Sequence, residues 1–234
     1  MFFLPTGEAG FQGREDWIFR VSLGYLISPR EGWAVKKKAN KRQPSEDRRE
    51  RILDVARVLF EAKGYQGTTT AQIAAEAGVP EGTLFEDFRT KRDLVFALLE
   101  RDIEVYLGFL ELQLRGIEGA LNRIRKFVWS HLYTWKKRRF IARFLILEIR
   151  QDPGFYESHA HSLIARYDQL LVGLIRDGIE EGSVRPDVDA GMVRNVIFGG
   201  IEQTALHWAL KEEPFDVDAS TKQLCELVFR AIQT

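Results

Sequence analysis

Two groups of charged residues in this sequence favour opposite interactions with a polyanion. Residues 36–51 hold eight lysines and arginines against three carboxylates, a net charge of +5, and such a cluster before a folded segment is typical of nucleic-acid binding. The alternative is a solvated tail that binds nothing. Glu81, Glu86 and Asp87 lie farther along, in the stretch AQIAAEAGVPEGTLFEDF at 71–88. A carboxylate there could accept a hydrogen bond from cytosine N4, or point to solvent and favour the positive end of a helix.

Local helix signals surround the acidic stretch. Apolar residues recur at helical spacing from 52 to 60, and Gly64 is suited to end that helix in a left-handed conformation. The spacings Thr69–Gln72 and Thr90–Asp93 each predict a helix start, because hydroxyl and amide or carboxylate side chains can satisfy orphan backbone N–H groups there. The sequence therefore predicts three helices before residue 92 and a long fourth helix after it.

Residues 71–88 are predicted to form a helix-turn-helix. Gly78 supplies the backbone angles of the turn, and Ala74, Ala75 and Ala77 let the two helices cross closely. The predicted buried residues are Ile73, Val79, Leu84 and Phe88. The second helix, roughly 81–88, then lies exposed and can enter a major groove.

The remainder of the chain is predicted to be helical. Helices are expected at about 118–136, 138–151, 157–181, 189–210 and 217–232, with breaks at 152–154 and 182–187. No alternation of period two is long enough to predict a strand. The predicted fold class is all-α, with an N-terminal three-helix helix-turn-helix domain followed by a helical bundle.

Composition excludes several classes of protein. The single cysteine of the 234 residues, Cys225, excludes an internal disulfide framework and is expected to be a small buried hydrophobe. No apolar run is long enough to span a bilayer, and acidic residues precede the apolar patch at 21–27, so neither a membrane span nor a signal peptide is predicted. We expect a soluble cytoplasmic protein. His159 and His161 are poorly spaced for a metal pair, and no nucleophile–base pattern or phosphate loop occurs, so no enzyme, metal or cofactor is predicted.

Residues 1–35 fit poorly with the helical sequence that follows, and we hypothesise that translation starts near Val35. The predicted domains are a flexible or mis-annotated extension with the basic arm at 1–44, a helix-turn-helix domain at 45–92, and a ligand-binding and dimerisation domain at 93–234.

Residues 52–94 resemble the DNA-binding domain of the TetR family of bacterial transcriptional regulators. The matching positions, in order and spacing, are Gly64-Tyr65, Thr68-Thr69, Ile73-Ala74, Ala77-Gly78-Val79, Gly82-x-Leu84-Phe85, Phe88 and Lys91. The later helices agree in number and length, so the resemblance covers roughly residues 45–234. It implies a ligand-responsive DNA-binding regulator, expected to be a repressor that a small hydrophobic molecule releases from a palindromic operator on double-stranded DNA.

The resemblance also implies roles for individual residues. Thr69 and Lys91 would contact phosphates at helix N-termini, and Gly82 and Thr83 would approach base edges or backbone. Phe85 replaces a frequent tyrosine and could touch a thymine methyl group. The full predicted DNA-binding set is Arg51, Thr69, Gly82, Thr83, Phe85, Glu86 and Lys91.

Besides Phe85, two further positions depart from the family pattern. Pro80 stands where a serine often caps the recognition helix, and it cannot offer a hydroxyl. Asp87 stands where a histidine, a neutral side chain or a base is usual, and we expect it to repel phosphate or to pair with Arg89 or Arg92.

The second domain is rich in aromatic residues, which could be ordinary core or could line a cavity for a small molecule. The predicted ligand-binding set is Phe109, Trp129, Tyr133, Phe144, Tyr167 and His207. The cationic stretch TWKKRRF at 134–140 could be a solvated loop or could receive the phosphates of a coenzyme A thioester. The stretch LILEIRQDPGFY resembles family members that sense fatty acyl-CoA, which stays an alternative to another hydrophobic ligand.

A homodimer is expected, because Gly199 and Gly200 in an apolar helix favour close packing and a two-fold dimer matches paired half-sites on DNA. The alternative is that these residues pack internally or accommodate a ligand. Two rival functions stay open: an enzyme or carrier that uses the bundle's pocket, and a helical interaction protein whose acidic recognition helix has lost DNA binding.

Overall fold

The structure, a computed structural model, describes residues 44–211, 213 and 215–234. The predictions for the N-terminal extension, the start near Val35 and the lysines of the arm lie outside the described residues. The helices are α1 (Pro44–Lys63), α2 (Thr70–Glu76), α3 (Glu81–Asp87), α4 (Lys91–Leu114), α5 (Ala120–Lys137), α6 (Arg139–Arg143), α7 (Pro153–Tyr156), α8 (His159–Glu180), α9 (Ala190–Lys211) and α10 (Val217–Ile232). The described residues contain no β-strand, only a single antiparallel bridge between Val184 and Gln233, and the predicted all-α fold is confirmed.

The local signals around the helix-turn-helix produce the predicted geometry. Gly64 and Gly78 adopt left-handed backbone angles, with φ of 72° and 65°. The Thr69 hydroxyl accepts from the Gln72 backbone N–H, and the Gln72 side chain accepts from the Thr69 N–H. The Thr90–Asp93 pair caps α4 in the same way. These caps fix where α2 and α4 begin, and therefore where their free N–H groups point.

The core of the helix-turn-helix is largely as predicted. Ile73, Leu84 and Phe88 are buried, whereas Val79 is half-buried. Ala75 was expected between the two helices but is exposed, because it lies on the opposite side of α2 from the buried Ile73, Ala74 and Ala77.

Between α5 and α8 the backbone is less regular than predicted. A single helix was expected at 138–151, but α6 is followed by a π-helical turn at Phe144–Glu148 and a 3-10 turn at Ile149–Gln151. The expected break at 152–154 is instead the start of α7, because Asp152 accepts from the Gly154 N–H and Pro153 is acceptable in a first helical turn.

The first of two apolar cores joins both predicted domains. The Phe60 ring of α1 stacks on Phe140 of α6 with 5.0 Å between centroids, and Tyr65 lies 5.6 Å from Phe144. Segments assigned by sequence to the second domain thus complete the core around α1–α3. The boundary at 92/93 stays a prediction, and both α4 and the region of α6 link the two halves.

The second core fills the bundle of α4, α5, α8, α9 and α10. Cys225 is buried there, as predicted, and burial raises the pKa of its thiol to about 11. No helix in the described ranges is long and apolar enough to cross a membrane.

Candidate nucleic-acid interface and effector region

The helix that would read DNA, α3, presents a short exposed face. Gly82 and Glu86 are exposed, Phe85 is 42% exposed, and Thr83 is half-buried. Leu84 between them is fully buried and anchors the helix to the core. The predicted base-reading residues therefore share one outward surface, while Leu84 fixes its orientation.

Glu81 is engaged with the neighbouring helix. Its carboxylate accepts a hydrogen bond of 2.7 Å from the Thr70 hydroxyl, at the start of α2. Pro80 precedes α3 without any side-chain cap, as expected. The Glu81 side chain thus ties the first turn of α3 to the first turn of α2, beside Thr69, which is itself exposed.

Asp87 binds the first helix, so the prediction that it pairs with Arg89 or Arg92 is wrong. Its two carboxylate oxygens accept from Arg48 at 2.8 and 2.9 Å, and its backbone carbonyl accepts from Arg49 at 2.9 Å. Arg92 instead donates to Asp152, at 3.1 Å to each oxygen. The reason is the crossing of α1 over the C-terminal end of α3, which brings positions 39 residues apart into contact.

Arg49 completes this contact between α1 and α3. Its guanidinium lies 4.2 Å from the centroid of the Phe88 ring. We call Arg48, Arg49 and Asp87 the α1–α3 clamp. Two of the basic residues that favoured nucleic-acid binding therefore hold the reading helix in place. Arg51, one turn farther along α1, is exposed.

Lys91 is also occupied within the protein. Its ammonium donates to the backbone carbonyls of Tyr65 and Thr68, at 2.8 and 3.0 Å, and lies 4.2 Å from the centroid of the Tyr65 ring. These bonds join the start of α4 to the loop before α2. A phosphate contact at this position would come first from the free N–H groups of the α4 N-terminus, and the predicted role of Lys91 stays a prediction.

The six residues of the predicted ligand site do not converge on one place. Trp129 and Tyr133 stack at 4.9 Å on α5, where the Trp129 indole donates to Asp218 of α10. Phe144 lies against the first core, and His207 is exposed on α9. Aromatic composition alone could not predict which of these residues lie in the core, on the surface or beside one another.

The remaining two residues of that set belong to the bundle. Phe109 is half-buried on α4, and Tyr167 is buried on α8. The Tyr167 ring stacks on Phe127 at 4.8 Å, and its hydroxyl lies 2.7 Å from His131 Nδ1. Of the six, Tyr167 alone lies in a buried cluster with polar atoms.

The cationic stretch at 134–140 spans the junction of α5 and α6. Lys136 donates to the Phe215 carbonyl at 2.9 Å, and Arg139 and Arg143 both donate to the carbonyl of Ala209, near the end of α9. Arg138 is buried. Cations at a helix C-terminus are favoured by the helix dipole, so this cluster joins α6 to α9 and is not simply a solvated loop.

Comparison with known families decides the class of protein. A model of bacterial regulatory proteins of the tetR family matches residues 52–98, and a model of the C-terminal region of YsiA-like proteins matches residues 99–231. The chain belongs to the TetR family. It is a DNA-binding transcriptional regulator, and the resemblance inferred from the sequence is confirmed.

Several relatives in the TetR family span most of this chain. The regulator YvkB of Bacillus subtilis is 50% identical over 156 residues, which are 64% of this chain and 78% of that protein. The fatty acid metabolism regulator protein of Bacillus subtilis is 24% identical over 181 residues, covering 77% and 93% of the two chains. The crystal structure of FadR from Bacillus subtilis with stearoyl-CoA has the same fold, with a TM-score of 0.69 at 23% identity over 78% of this chain and 98% of that one.

Sequence reasoning missed His131, a buried titratable side chain of this TetR-family bundle. It is buried between α5 and α8, and burial lowers its pKa to about 3. The spacing of the sequence could have predicted its burial. His131 lies four residues after Phe127 and four before Trp135, and therefore on the apolar face of α5.

Proposed function

We propose that this regulator is a homodimeric repressor that leaves a palindromic operator when it binds a fatty acyl-CoA. The observation that carries the proposal is the exposed face of α3, whose first turn is tied to α2 and whose last turn is clamped to α1. A helix of seven residues has little stability of its own, so these contacts pre-organise a reading surface.

On the DNA side, α3 enters the major groove with Gly82, Thr83, Phe85 and Glu86 facing the bases. The N-termini of α2 and α4 supply backbone N–H groups to phosphates on either side, with Thr69 at the first. Thr69 uses its oxygen as a helix cap, which leaves its hydroxyl proton for a phosphate oxygen. Lys91 and Arg51 add positive charge around this surface.

An apolar stripe on α9 and α10 supports the homodimer. Met192 and Leu227 are 61% and 70% exposed, and Val196 and Leu210 lie on the same side of α9 as Met192. Gly199 in that stripe has open space around it, whereas Gly200 packs internally, since a Cβ there would lie 2.5 Å from Leu224. Exposed apolar residues on two neighbouring helices favour a protein interface, and a self-complementary one closes a two-fold dimer.

Leu227→Glu should therefore convert the dimer to a monomer, because it would bury two carboxylates at the two-fold interface. Light scattering after size-exclusion chromatography measures the mass. Leu112→Glu is the matched control, since Leu112 is 61% exposed on α4, outside the stripe. A dimer that survives Leu227→Glu, or a loss of dimer in both variants, contradicts this interface.

The relation to FadR supports a fatty acyl-CoA as the effector. FadR from Bacillus subtilis has been crystallised with stearoyl-CoA, and this chain shares its fold. Lys136 and Lys137 are exposed at the end of α5 and give this region the charge that coenzyme A phosphates require. They lie next to α6, which contacts α1 through Phe140. Binding there would favour one arrangement of α6, and through Phe140 and Phe144 a different position of α1–α3.

Fluorescence anisotropy on DNA from upstream of its own gene tests the proposal. We expect binding at least tenfold tighter than to scrambled DNA, with a steep loss of affinity as salt rises, and release by stearoyl-CoA but not by free coenzyme A or stearate. Equal weak binding to both DNAs over the salt series would favour the rival interaction protein. Selective binding without release by any acyl-CoA would reject this class of effector.

A further inference from the structure

A chain of polar side chains crosses the centre of the bundle. His131 of α5, Tyr167 of α8 and Tyr106 of α4 are held in one cluster, in which the Tyr167 hydroxyl lies 2.7 Å from His131 Nδ1. The Tyr106 hydroxyl faces those of Tyr167 and Thr134. We call this cluster the polar core; its rings pack in the apolar core of the bundle, while its polar atoms have no role in the DNA-binding surface.

One nitrogen atom of the polar core has no hydrogen-bond partner in the described residues. That atom is His131 Nε2, which is buried. Buried polar groups in proteins nearly always have partners, because an unmet group loses its hydrogen bonds to water without replacement. The unmet Nε2 of His131 points to a hydrogen-bonding partner supplied by a ligand.

The surroundings determine which chemistry that partner has. Aromatic rings enclose His131, with Trp135 at 4.4 Å and Phe198 at 5.6 Å between centroids. Burial alone lowers the pKa of the imidazole to about 3, so the ring is neutral at physiological pH. A carboxylate or an ammonium in such surroundings would lose its solvation with no opposite charge to compensate. A hydroxyl or a carbonyl costs less to bury, and one hydrogen bond can compensate for its lost solvation.

We infer that the polar core binds an uncharged oxygen on the hydrocarbon part of the effector, so the effector is a hydroxy- or oxo-acyl thioester. This inference rests on the proposed function and names the class of acyl chain. An unsubstituted chain would leave His131 Nε2 without a hydrogen bond, and a site built around hydrogen bonds rejects analogues that lack the matching oxygen.

The tautomer of His131 distinguishes the two sources of that oxygen. If Nδ1 donates to Tyr167, Nε2 is an acceptor and takes the O–H of a hydroxyl. If the Tyr167 hydroxyl donates to Nδ1, Nε2 carries the proton and donates to an oxo group. Hydroxy- and oxo-stearoyl thioesters are therefore separate arms of the experiment.

Isothermal titration calorimetry of the full chain tests the inference. The ligands are stearoyl-CoA and two series of stearoyl-CoA thioesters, one with a hydroxyl and one with an oxo group at successive carbons. We expect at least one member to bind about tenfold or more tightly than stearoyl-CoA. In Tyr167→Phe and His131→Phe that preference should fall to within about twofold, while the affinity for stearoyl-CoA itself is retained.

The controls separate recognition from folding. Tyr167→Phe removes only the oxygen and keeps the ring that stacks on Phe127, so it serves if His131→Phe does not fold. Tyr156→Phe removes a hydroxyl from an exposed tyrosine outside the bundle core and should leave the preference intact.

Three outcomes would overturn the inference. If stearoyl-CoA binds and releases DNA but no oxygenated thioester binds more tightly, the polar core holds only water, and the proposed function stands. If the preference survives in both variants, the oxygen is recognised elsewhere. If no thioester binds at all, the proposed effector fails and the inference fails with it.

Discussion

Asp87→Asn is expected to weaken operator binding about tenfold, although it removes a negative charge from the DNA-binding domain. Electrostatics alone predicts the opposite sign, because one carboxylate fewer near the phosphates raises affinity, most of all at low salt. In the structure that carboxylate accepts both hydrogen bonds from Arg48 and holds α3 against α1. Loss of the clamp lowers the fraction of molecules whose reading helix is correctly placed, and the apparent affinity falls in proportion.

Anisotropy titrations at several salt concentrations measure this effect. Glu76→Gln is the matched control, since Glu76 is an exposed carboxylate at the end of α2 that belongs neither to the clamp nor to the predicted DNA-binding set. It should change affinity within about twofold, because it removes the same charge without loosening α3. Arg48→Ala should reproduce the loss of affinity. The double variant Arg48→Ala/Asp87→Asn should bind little more weakly than either single variant, because both substitutions remove the same interaction. Tighter binding by Asp87→Asn would mean that charge outweighs the clamp.

His131→Phe is expected to remove a large part of the acid sensitivity of folding. In the unfolded chain the imidazole takes up a proton near pH 6.5, whereas in the folded protein burial lowers its pKa to about 3. Below pH 6.5 the unfolded state therefore binds more protons, and the free energy of unfolding falls by up to about 1.4 kcal/mol per pH unit. By pH 4.5 the difference is on the order of 2–3 kcal/mol, a large share of a typical domain's stability.

Urea denaturation of the native protein and the variant at pH 7.5, 6.5, 5.5 and 4.5 checks this slope. Carboxylates contribute equally to both proteins, so the difference between the two profiles isolates His131. His207→Phe, at an exposed position on α9, should keep the native profile. Parallel profiles for native protein and His131→Phe would mean that the buried imidazole takes up its proton in the folded state.

The helix-turn-helix could be predicted from sequence because its signals are local. Gly64 and Gly78 adopt left-handed angles, and the capping boxes at Thr69 and Thr90 use residues three positions apart. The position of Leu84 in the pattern was enough to predict its burial. Each of these features depends on backbone geometry within one or two turns, which the residue types themselves impose.

The partners of the charged and polar side chains were decided only by the tertiary structure. Asp87 meets Arg48, Lys91 meets the carbonyls of Tyr65 and Thr68, and Phe140 of the second half completes the core of the first. Helical periodicity gives the face of the helix on which a side chain lies. It does not give which other helix packs against that face, or at which position along the helix axis the two helices cross. For the same reason the aromatic residues predicted to share one site lie in separate places. His131, unremarked in the sequence, occupies the centre of the bundle because α4, α5 and α8 meet around it.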